Sequence, residues 1–391
     1  MEIKYRIEIN RHKTLMNQNL TQLIEVSRLY GKDKTFVIAG GGNTSFKDEN
    51  HIWVKASGIA LETIDENGFV CLSRAKLKIV SSKTYSHNAT DREAEVKADL
   101  ANAIVSTGGN RPSVETSMHE IIDYQFVVHT HPTLVNALMC SNKAESICVE
   151  LFGDQSLFIP YTDPGYILFK KVETEIARFT SKFGKAPQII FLENHGVFVA
   201  ADSIPAINEI YSTIIQKIIS KISEALPKDD AKSFESSIID KIQQLHPEFG
   251  TFTAKGIESS LIHQFTTNRK SFLKADTAFT PDDIVYCKAH YLFIPAYENE
   301  KDQIESASNK IDGYVDSYGY LPKVLAIEGQ GIIAVEENLK SVLNVLEVYS
   351  NILKISYLSE NFGGPKFMTK AQIEFIDNWE VENYRRKIAK S

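Results

Sequence analysis

Cysteine is scarce in this sequence, and its spacing excludes the usual thiolate sites. Only four of the 391 residues are cysteines: Cys71, Cys140, Cys148 and Cys287. None of them belongs to a C-x-x-C pair, so the sequence predicts neither a disulfide framework nor a thiolate zinc site. We expect all four thiols to be reduced and to have a structural role.

Long apolar runs and a surplus of positive charge are also absent. No stretch approaches the roughly 18 uninterrupted apolar residues of a membrane span, and residues 1–6 do not resemble a signal peptide. The formal net charge is -7 without a basic cluster, which argues against a nucleic-acid-binding surface. The 43% hydrophobic content is enough to bury a large core. We therefore expect a cytoplasmic, globular protein that binds a small molecule and neither nucleic acid nor membrane.

Three histidines form the most informative chemical pattern. His129 and His131 are separated by one residue in an apolar run, so on a strand both side chains project from the same face. His195 follows about 65 residues later, directly before a glycine. Three imidazoles can bind one divalent metal ion and leave a coordination position open, as in catalytic zinc sites. The alternative is a set of ordinary hydrogen-bonded histidines.

A glycine-rich stretch lies between predicted strands near the N-terminus. Apolar residues at helical spacing predict a helix over residues 14–30 that stops at Gly31. Residues 35–39 are a predicted strand, the glycines at 40–42 follow, and residues 52–58 are the next predicted strand. Strand-like and helix-like patterns alternate along the whole chain, which favours an α/β or α+β fold.

The glycine-rich stretch is not typical of a dinucleotide-binding loop. That motif requires a helix directly after the glycines, whereas this sequence returns to a strand. Glycines also allow backbone amides to approach an anion closely, and Asn43, Ser57 and Ser113 could add side-chain donors. The alternative is a hairpin turn made of ordinary turn residues.

A carboxylate and a further histidine precede the histidine pair. Pro112 and Ser113 suit the start of a helix, and Glu115 would lie in its first turn, where acidic residues commonly complement the helix dipole. His119 would share a helix face with Glu115 but lacks the H-E-x-x-H arrangement. We expect His119 to lie on the helix surface or to support the site, without binding metal.

Taken together, these segments resemble the class II aldolase/adducin family over roughly residues 14–222. The resemblance is carried by five segments in the family's order: Gly42–Ser45, Ser57–Gly58, Pro112–Glu115, His129–Pro132 and His195–Gly196. The segments around Glu115 and His129 look most like the aldolase part of bifunctional rhamnulose-1-phosphate aldolase/lactaldehyde dehydrogenase proteins. No second glycine fingerprint follows, so we expect the dehydrogenase half to be absent.

The resemblance implies specific roles for the residues of these segments. His129, His131 and His195 would bind zinc or another divalent metal, and Glu115 would be the catalytic acid/base. The substrate phosphate would be held by Gly42, Asn43, Ser57, Gly58 and Ser113. Val114 departs from the pattern, because fuculose-type aldolases carry a serine at that position, and one phosphate donor is thereby lost.

The resemblance also implies a fold and a reaction. The expected fold is α/β/α, with a central, mainly antiparallel sheet flanked by helices. The implied reaction is metal-dependent retro-aldol cleavage of a ketose 1-phosphate, of the rhamnulose- or fuculose-1-phosphate type, to dihydroxyacetone phosphate and an aldehyde. A sugar-phosphate epimerase or dehydratase using the same metal site and a non-catalytic adducin-like binding protein are the alternatives. Relatives imply a homo-oligomer, often a tetramer.

A later segment resembles the one that contains the third histidine. Residues 187–200 align without gaps to residues 322–335, where Gln330 takes the place of the histidine, and a helical pattern follows both. Glutamine is a poor zinc ligand. We therefore predict a catalytic domain over residues 1–250 and a smaller, degenerate aldolase-like repeat without a metal site over residues 251–391. The alternative is convergence of two strand-turn-strand-helix segments.

Overall fold

The chain forms two compact units. The computed structural model describes residues 2–106, 109–235, 238 and 252–379. The first unit comprises Met1–Val135 and Glu145–Ile218, and the second comprises Asn136–Ala144 and Ile219–Ser391. The domain boundary predicted near residue 250 lies outside the described residues and stays a prediction.

A seven-stranded sheet forms the centre of the first unit. Its strand order is β3-β2-β1-β4-β7-β6-β5, and only β5 and β6 pair in parallel. The prediction of a mainly antiparallel central sheet flanked by helices is thereby confirmed. The strands are β1 (Asn43–Lys47), β2 (His51–Lys55), β3 (Phe69–Ser73), β4 (Phe126–Thr130), β5 (Ser156–Ile159), β6 (Ile189–Leu192) and β7 (Gly196–Ala201).

Helices cover this sheet, and its central strands are buried on both faces. Every residue of β4 and β7 is buried, which is typical of strands with a packed layer on each side. The described helices up to residue 219 are α1 (Glu2–Lys32), α2 (Arg74–Ser82), α3 (Ala89–Ala103), α4 (Thr116–Ile121), α5 (Thr133–Met139), α6 (Ala144–Phe152), α7 (Tyr166–Phe183) and α8 (Ile204–Ile219).

Two local predictions near the glycine-rich stretch are wrong. Helix α1 does not stop at Gly31 but continues to Lys32. Glycine is required there for packing, because a Cβ would lie 2.4 Å from the amide nitrogen of Glu62. Residues 35–39 are turn and irregular backbone and not a strand. The carboxylate of Asp33 accepts hydrogen bonds from the amide and the hydroxyl of Thr35, and this local bonding replaces strand pairing.

The second unit contains its own five-stranded sheet. Its strand order is β10-β11-β12-β9-β8, and only β10 and β11 pair in parallel. The strands are β8 (Lys232–Phe234), β9 (Thr253–Glu258), β10 (Leu292–Ile294), β11 (Val324–Ile327) and β12 (Gly331–Glu336). The described helices of this unit beyond residue 219 are Ser260–Thr266, Arg269–Phe272, Pro281–Cys287, Glu300–Tyr318, Leu339–Ser359 and Lys370–Asn378.

The cysteines and the length and character of the helices can be read directly from the structure. All four cysteines are free, and all but the partly buried Cys71 are buried. Among the described residues, no helix combines the length and the apolar character that crossing a membrane requires.

Candidate metal centre

The histidine pair lies at the end of the central strand β4. His129 is buried, and its Nδ1 lies 3.0 Å from the carbonyl oxygen of Val197 on the neighbouring strand β7. Because a carbonyl oxygen can only accept, Nδ1 carries the proton and Nε2 keeps its lone pair. The Nε2 of His131 is 2.9 Å from the Nε2 of His129. The two imidazoles therefore point at a common position, as their spacing predicts.

The third histidine reaches the same position from the turn between β6 and β7. One ring nitrogen from each of His129, His131 and His195 lies within 4.8 Å of the others. Asn194 precedes His195 with a φ of 53°, so the turn is tight. Gly196 follows, and a Cβ there would lie 2.5 Å from Cδ2 of His131 and 2.6 Å from the carbonyl oxygen of Thr130. The close approach of β4 and this turn therefore requires glycine.

The carboxylate of Glu115 lies against the three imidazoles. Its Oε1 is 3.2 Å from Nε2 of His129 and 3.7 Å from Nε2 of His195. Burial raises the pKa of Glu115, and the positive charge that His129 and His195 carry when they are protonated lowers it well below its usual value. Glu115 precedes α4 as its N-cap, so the helix begins later than predicted and Glu115 does not lie in its first turn. The arrangement provides three nitrogen donors and one ionised oxygen donor, a ligand set that suits a divalent metal.

Two of the predicted phosphate residues lie directly beside this cluster. Asn43 pairs with His129 in the register of β1 and β4, and its Nδ2 donates to Oε2 of Glu115 at 3.2 Å. Its Oδ1 is buried and has no hydrogen-bond partner among the described residues. Gly42 has a φ of +75°, and a Cβ there would lie 3.2 Å from the carbonyl oxygen of His129. Glycine is thus required at this position.

The other three predicted phosphate residues come together on a neighbouring loop. The amide of Ser57 donates to the carbonyl oxygen of Arg111 at 2.9 Å, and Gly58 has a φ of +83°. The Oγ of Ser113 accepts a hydrogen bond from the amide of Glu115 at 3.2 Å. The Ser113 hydroxyl still has a proton to donate, because it acts as the acceptor in this contact.

A polar face of β1 was not recognised from the sequence. Asn43, Ser45 and Lys47 alternate along the strand, so their side chains project from the same face, toward the segment that starts at Glu115. The Oγ of Ser45 is 2.7 Å from Nδ1 of His119. Lys47 is buried, and its ammonium donates to three carbonyl oxygens at the end of α4, those of His119, Glu120 and Ile122. The sequence signal that could have revealed this face is the alternation of the polar residues Asn43, Ser45 and Lys47.

His119 supports the site from inside the protein. It is fully buried, so the expected place on the helix surface is wrong and the supporting place is the one observed. Burial lowers its pKa to about 3, and the ring is neutral at ordinary pH. Burial likewise lowers the pKa of Lys47 to about 7.

Comparison with known proteins agrees with this geometry. The family model of the Class II Aldolase and Adducin N-terminal domain matches residues 21–213. This range includes the three histidines, Glu115 and all of the predicted phosphate residues. An uncharacterised oxidoreductase of Bacillus subtilis, YuxG, is 28% identical over 242 residues, which cover 60% of this chain and 31% of that protein. The chain therefore spans about a third of the length of this relative.

Solved structures are similar over about half of the chain. The N-terminal class II aldolase domain of a conserved Thermoplasma acidophilum protein is 25% identical with a TM-score of 0.43, covering 51% of this chain and 91% of that one. The L-fuculose-1-phosphate aldolase of Thermus thermophilus is 12% identical with a TM-score of 0.33, covering 51% and 92%. By the family match, residues 21–213 of this chain belong to the class II aldolase and adducin family.

Proposed function

We propose that the first unit catalyses the metal-dependent retro-aldol cleavage of a ketose 1-phosphate to dihydroxyacetone phosphate and an aldehyde. The observation that carries the proposal is the carboxylate of Glu115, 3.2 Å from the imidazole of His129 in a cluster of three histidines. A family domain with this cluster contains both a metal-binding position and a group that can move a proton. Sugar phosphates of the rhamnulose or fuculose type are the proposed substrates.

The residues that would hold the ion are His129, His131 and His195, with Glu115 as a further oxygen ligand. The fit rests on the donor set, because the hydrogen bond from His129 to Val197 leaves its Nε2 free to ligate. Zinc is the proposed metal, since three imidazoles and an open position are typical of catalytic zinc. When bound, the ion supplies Lewis-acid polarisation of the substrate carbonyl and stabilises the negative charge that cleavage places on its oxygen.

Glu115 is the proposed proton carrier. Cleavage breaks the bond between the carbons α and β to the carbonyl group. The hydroxyl group on the β carbon loses a proton and the α carbon gains one, so the overall reaction needs no further reactant. The carboxylate of Glu115 lies against the histidine cluster and could accept a proton from a substrate bound there. The Nδ2 of Asn43, which donates to Oε2, holds the carboxylate in place and leaves Oε1 toward the histidines.

The phosphate would be held on the side of the site formed by the glycine-rich loops. Gly42, Ser57, Gly58 and Ser113 offer backbone amides or hydroxyl groups as donors to the phosphate. The unpartnered Oδ1 of Asn43 only accepts, so it would bond to a substrate hydroxyl or to water, and only Nδ2 of this residue could donate to the phosphate. Binding energy at the phosphate, remote from the reacting bond, would orient the sugar. Val114 contributes no hydroxyl, which leaves the backbone amides as the main donors there.

The test is release of dihydroxyacetone phosphate from rhamnulose 1-phosphate and fuculose 1-phosphate by zinc-loaded protein, followed with a coupled dehydrogenase. The proposal expects release that a chelator abolishes and that Glu115→Gln lowers by about 100-fold or more. Glu258→Gln is the matched control, because Glu258 also lies 3.3 Å from a histidine, His263, but in the second unit. An isomeric sugar phosphate without dihydroxyacetone phosphate would instead identify an epimerase, and loss of water a dehydratase.

A further inference from the structure

The polar face of β1 contacts the whole length of the segment that carries Glu115. Asn43 bonds to the Glu115 carboxylate at its start, Ser45 to the His119 ring in its middle, and Lys47 to the carbonyl oxygens at its end. Because the three residues alternate on one strand, the spacing of these contacts is fixed by the strand itself. The segment is therefore held at three points by one rigid element.

Helix α4 needs such support. It has only six residues, and a helix of that length is not stable without tertiary contacts. The carbonyl groups of its last turn have no partners within the helix, and the ammonium of Lys47 supplies them. A buried cation is costly unless its donors are satisfied, and an apolar side chain would fill the same space more cheaply. The lysine is thus explained by the carbonyl groups that it holds.

Strand β1 also pairs with β4, the strand that carries His129. Asn43 and Ser45 pair in register with His129 and Val127 of β4. The position of Glu115 relative to His129 is consequently set by β1, which bonds to both. Resting on the function proposed above, we propose that Ser45 and Lys47 are positioning residues for Glu115, Ser45 acting through His119 and Lys47 through the end of α4.

A double-mutant cycle tests this inference. Ser45→Ala and Lys47→Met are expected to lower kcat about 10- to 100-fold with KM nearly unchanged, because a misplaced acid/base group affects the chemical step. In a Glu115→Gln background the same substitutions are expected to have no further effect on kcat. Lys47→Arg is expected to restore most of the activity. A purely structural role would instead give equal losses in both backgrounds, and that result would overturn the inference.

The matched control is Ser27→Ala. The Ser27 hydroxyl is also fully buried and bonds to β1, but through Thr44 on the opposite face of the strand, at 2.7 Å. It is expected to lower stability without the kcat loss. If Glu115→Gln itself is fully active, the proposed function fails, and crystal structures then test the inference alone. The Glu115–His129 separation of 3.2 Å is expected to lengthen in Ser45→Ala and not in Ser27→Ala.

A second inference rests on an independent observation. The same hydrogen bonds occur twice in the chain, at a constant sequence separation of 135 residues. The amide of Glu193 donates to Ile159, and that of Glu328, 135 residues later, donates to Ile294, each at 3.0 Å. The carboxylates of the same two glutamates accept from the amides of Tyr161 and Ala296, again at 3.0 Å and 135 residues apart. Helix-ending glycines with positive φ, Gly184 and Gly319, keep this spacing.

The two sheets also have the same pairing. The strand order β1-β4-β7-β6-β5 of the first unit corresponds to β8-β9-β12-β11-β10 of the second, with the parallel pair at the same end. The registers agree, since Ile190 pairs with Phe198 where Leu325 pairs with Ile333. Convergence would produce a similar hairpin, but it does not require identical registers, identical turn lengths and helix-ending glycines at the same spacing.

The register shows what replaces the metal ligands. Pairing across β9 and β12 places Gly256 where the first unit has His129, and Glu258 where it has His131. Gln330 corresponds to His195. The ring of Phe234 covers this place, because Cβ atoms on Gly256 and Gly331 would lie 2.8 Å and 2.7 Å from its Cε1. In the first unit the glycine of the corresponding turn, Gly196, faces imidazoles instead.

We infer that the second unit is a duplicate of the catalytic sheet whose metal position is filled by Phe234. No ion is therefore expected at this position, and one ion is expected among the residues that the structure describes. The paired variants His195→Ala and Gln330→Ala test this, because they change corresponding positions. His195→Ala is expected to abolish the one equivalent of zinc found per chain, whereas Gln330→Ala is expected to retain it. Two equivalents in the wild-type protein, or loss in Gln330→Ala, would overturn the inference.

Restoring the ligands tests the duplication itself. The variant carrying Phe234→Ala, Gly256→His and Gln330→His would combine two new imidazoles with the carboxylate of Glu258. A duplicate sheet is expected to gain a second equivalent of zinc in this variant. A variant that melts like the wild type but still binds one equivalent would contradict the equivalence of the two positions. If this variant does not fold, the zinc content of the paired variants His195→Ala and Gln330→Ala is the test of the inference.

Discussion

The substitution Gly196→Ala, compared with Gly331→Ala, distinguishes an effect on zinc affinity from an effect on the stability of the fold. An added Cβ would lie 2.5 Å from Cδ2 of His131 and 2.6 Å from the carbonyl oxygen of Thr130. That carbonyl belongs to the paired strands β4 and β7, so the imidazole is the group that can yield. An ordinary contact of about 3.4 Å requires the ring to move by about 0.9 Å. Zinc–nitrogen distances tolerate only about 0.2 Å, and His131 can no longer ligate in its present place.

We expect zinc affinity to fall at least about 100-fold in Gly196→Ala. Substituting residues that only hydrogen-bond to metal ligands already lowers affinity by about 10- to 100-fold, and here a ligand itself is displaced. The assay is competition with a chromophoric chelator. Gly331→Ala is the matched control, because its Cβ would lie 2.5 Å from the carbonyl oxygen of Ile257 but near no histidine. Both variants are expected to lose about 1–3 kcal/mol of stability through overpacking. A folded Gly196→Ala protein with unchanged zinc affinity would show that His131 does not bind the ion in this position.

Three further predictions concern stability. A chelator is expected to lower the Tm of the wild-type protein but not of His129→Ala, because an ion bound only by the folded state stabilises it by mass action. Tyr211→Phe removes the hydroxyl that bonds to Thr130 at 2.8 Å behind the histidine strand, and is expected to cost about 1–2 kcal/mol in urea unfolding. Burial raises the pKa of Asp283 from 3.8 to about 7. The folded chain thus keeps a proton that the unfolded chain loses, so this residue's contribution declines as pH rises from about 4 to 7. Asp283→Asn is expected to flatten that decline of up to about 4 kcal/mol, and an unchanged slope in urea titrations at several pH values would contradict it.

The histidine cluster was predictable because its signal is local. Alternation on an apolar strand fixes the face that His129 and His131 share, and a glycine after His195 indicates a close approach. The register that places Glu115 between them is not local, since it depends on pairing between distant strands. The resemblance to a known family supplied the role of Glu115, and the sequence pattern did not.

Other features lay beyond reasoning from sequence for identifiable reasons. Residues 35–39 have the composition of a strand, but Asp33 bonds to Thr35 and turns the chain instead. Lysine is a residue type that is usually exposed, and only the structure shows that carbonyl groups at the end of α4 accept the hydrogen bonds of Lys47 inside the protein. Phe234 is an ordinary apolar residue until the register of β8 places it over Gly256.

The position of the bound ion can be measured by anomalous X-ray diffraction from crystals of zinc-loaded protein, recorded on both sides of the zinc absorption edge. We expect one strong peak per chain within about 2.1 Å of the Nε2 atoms of His129, His131 and His195. No second peak is expected near Gln330. Zinc that binds elsewhere, or a site with fewer than three of these imidazoles as ligands, would contradict the account.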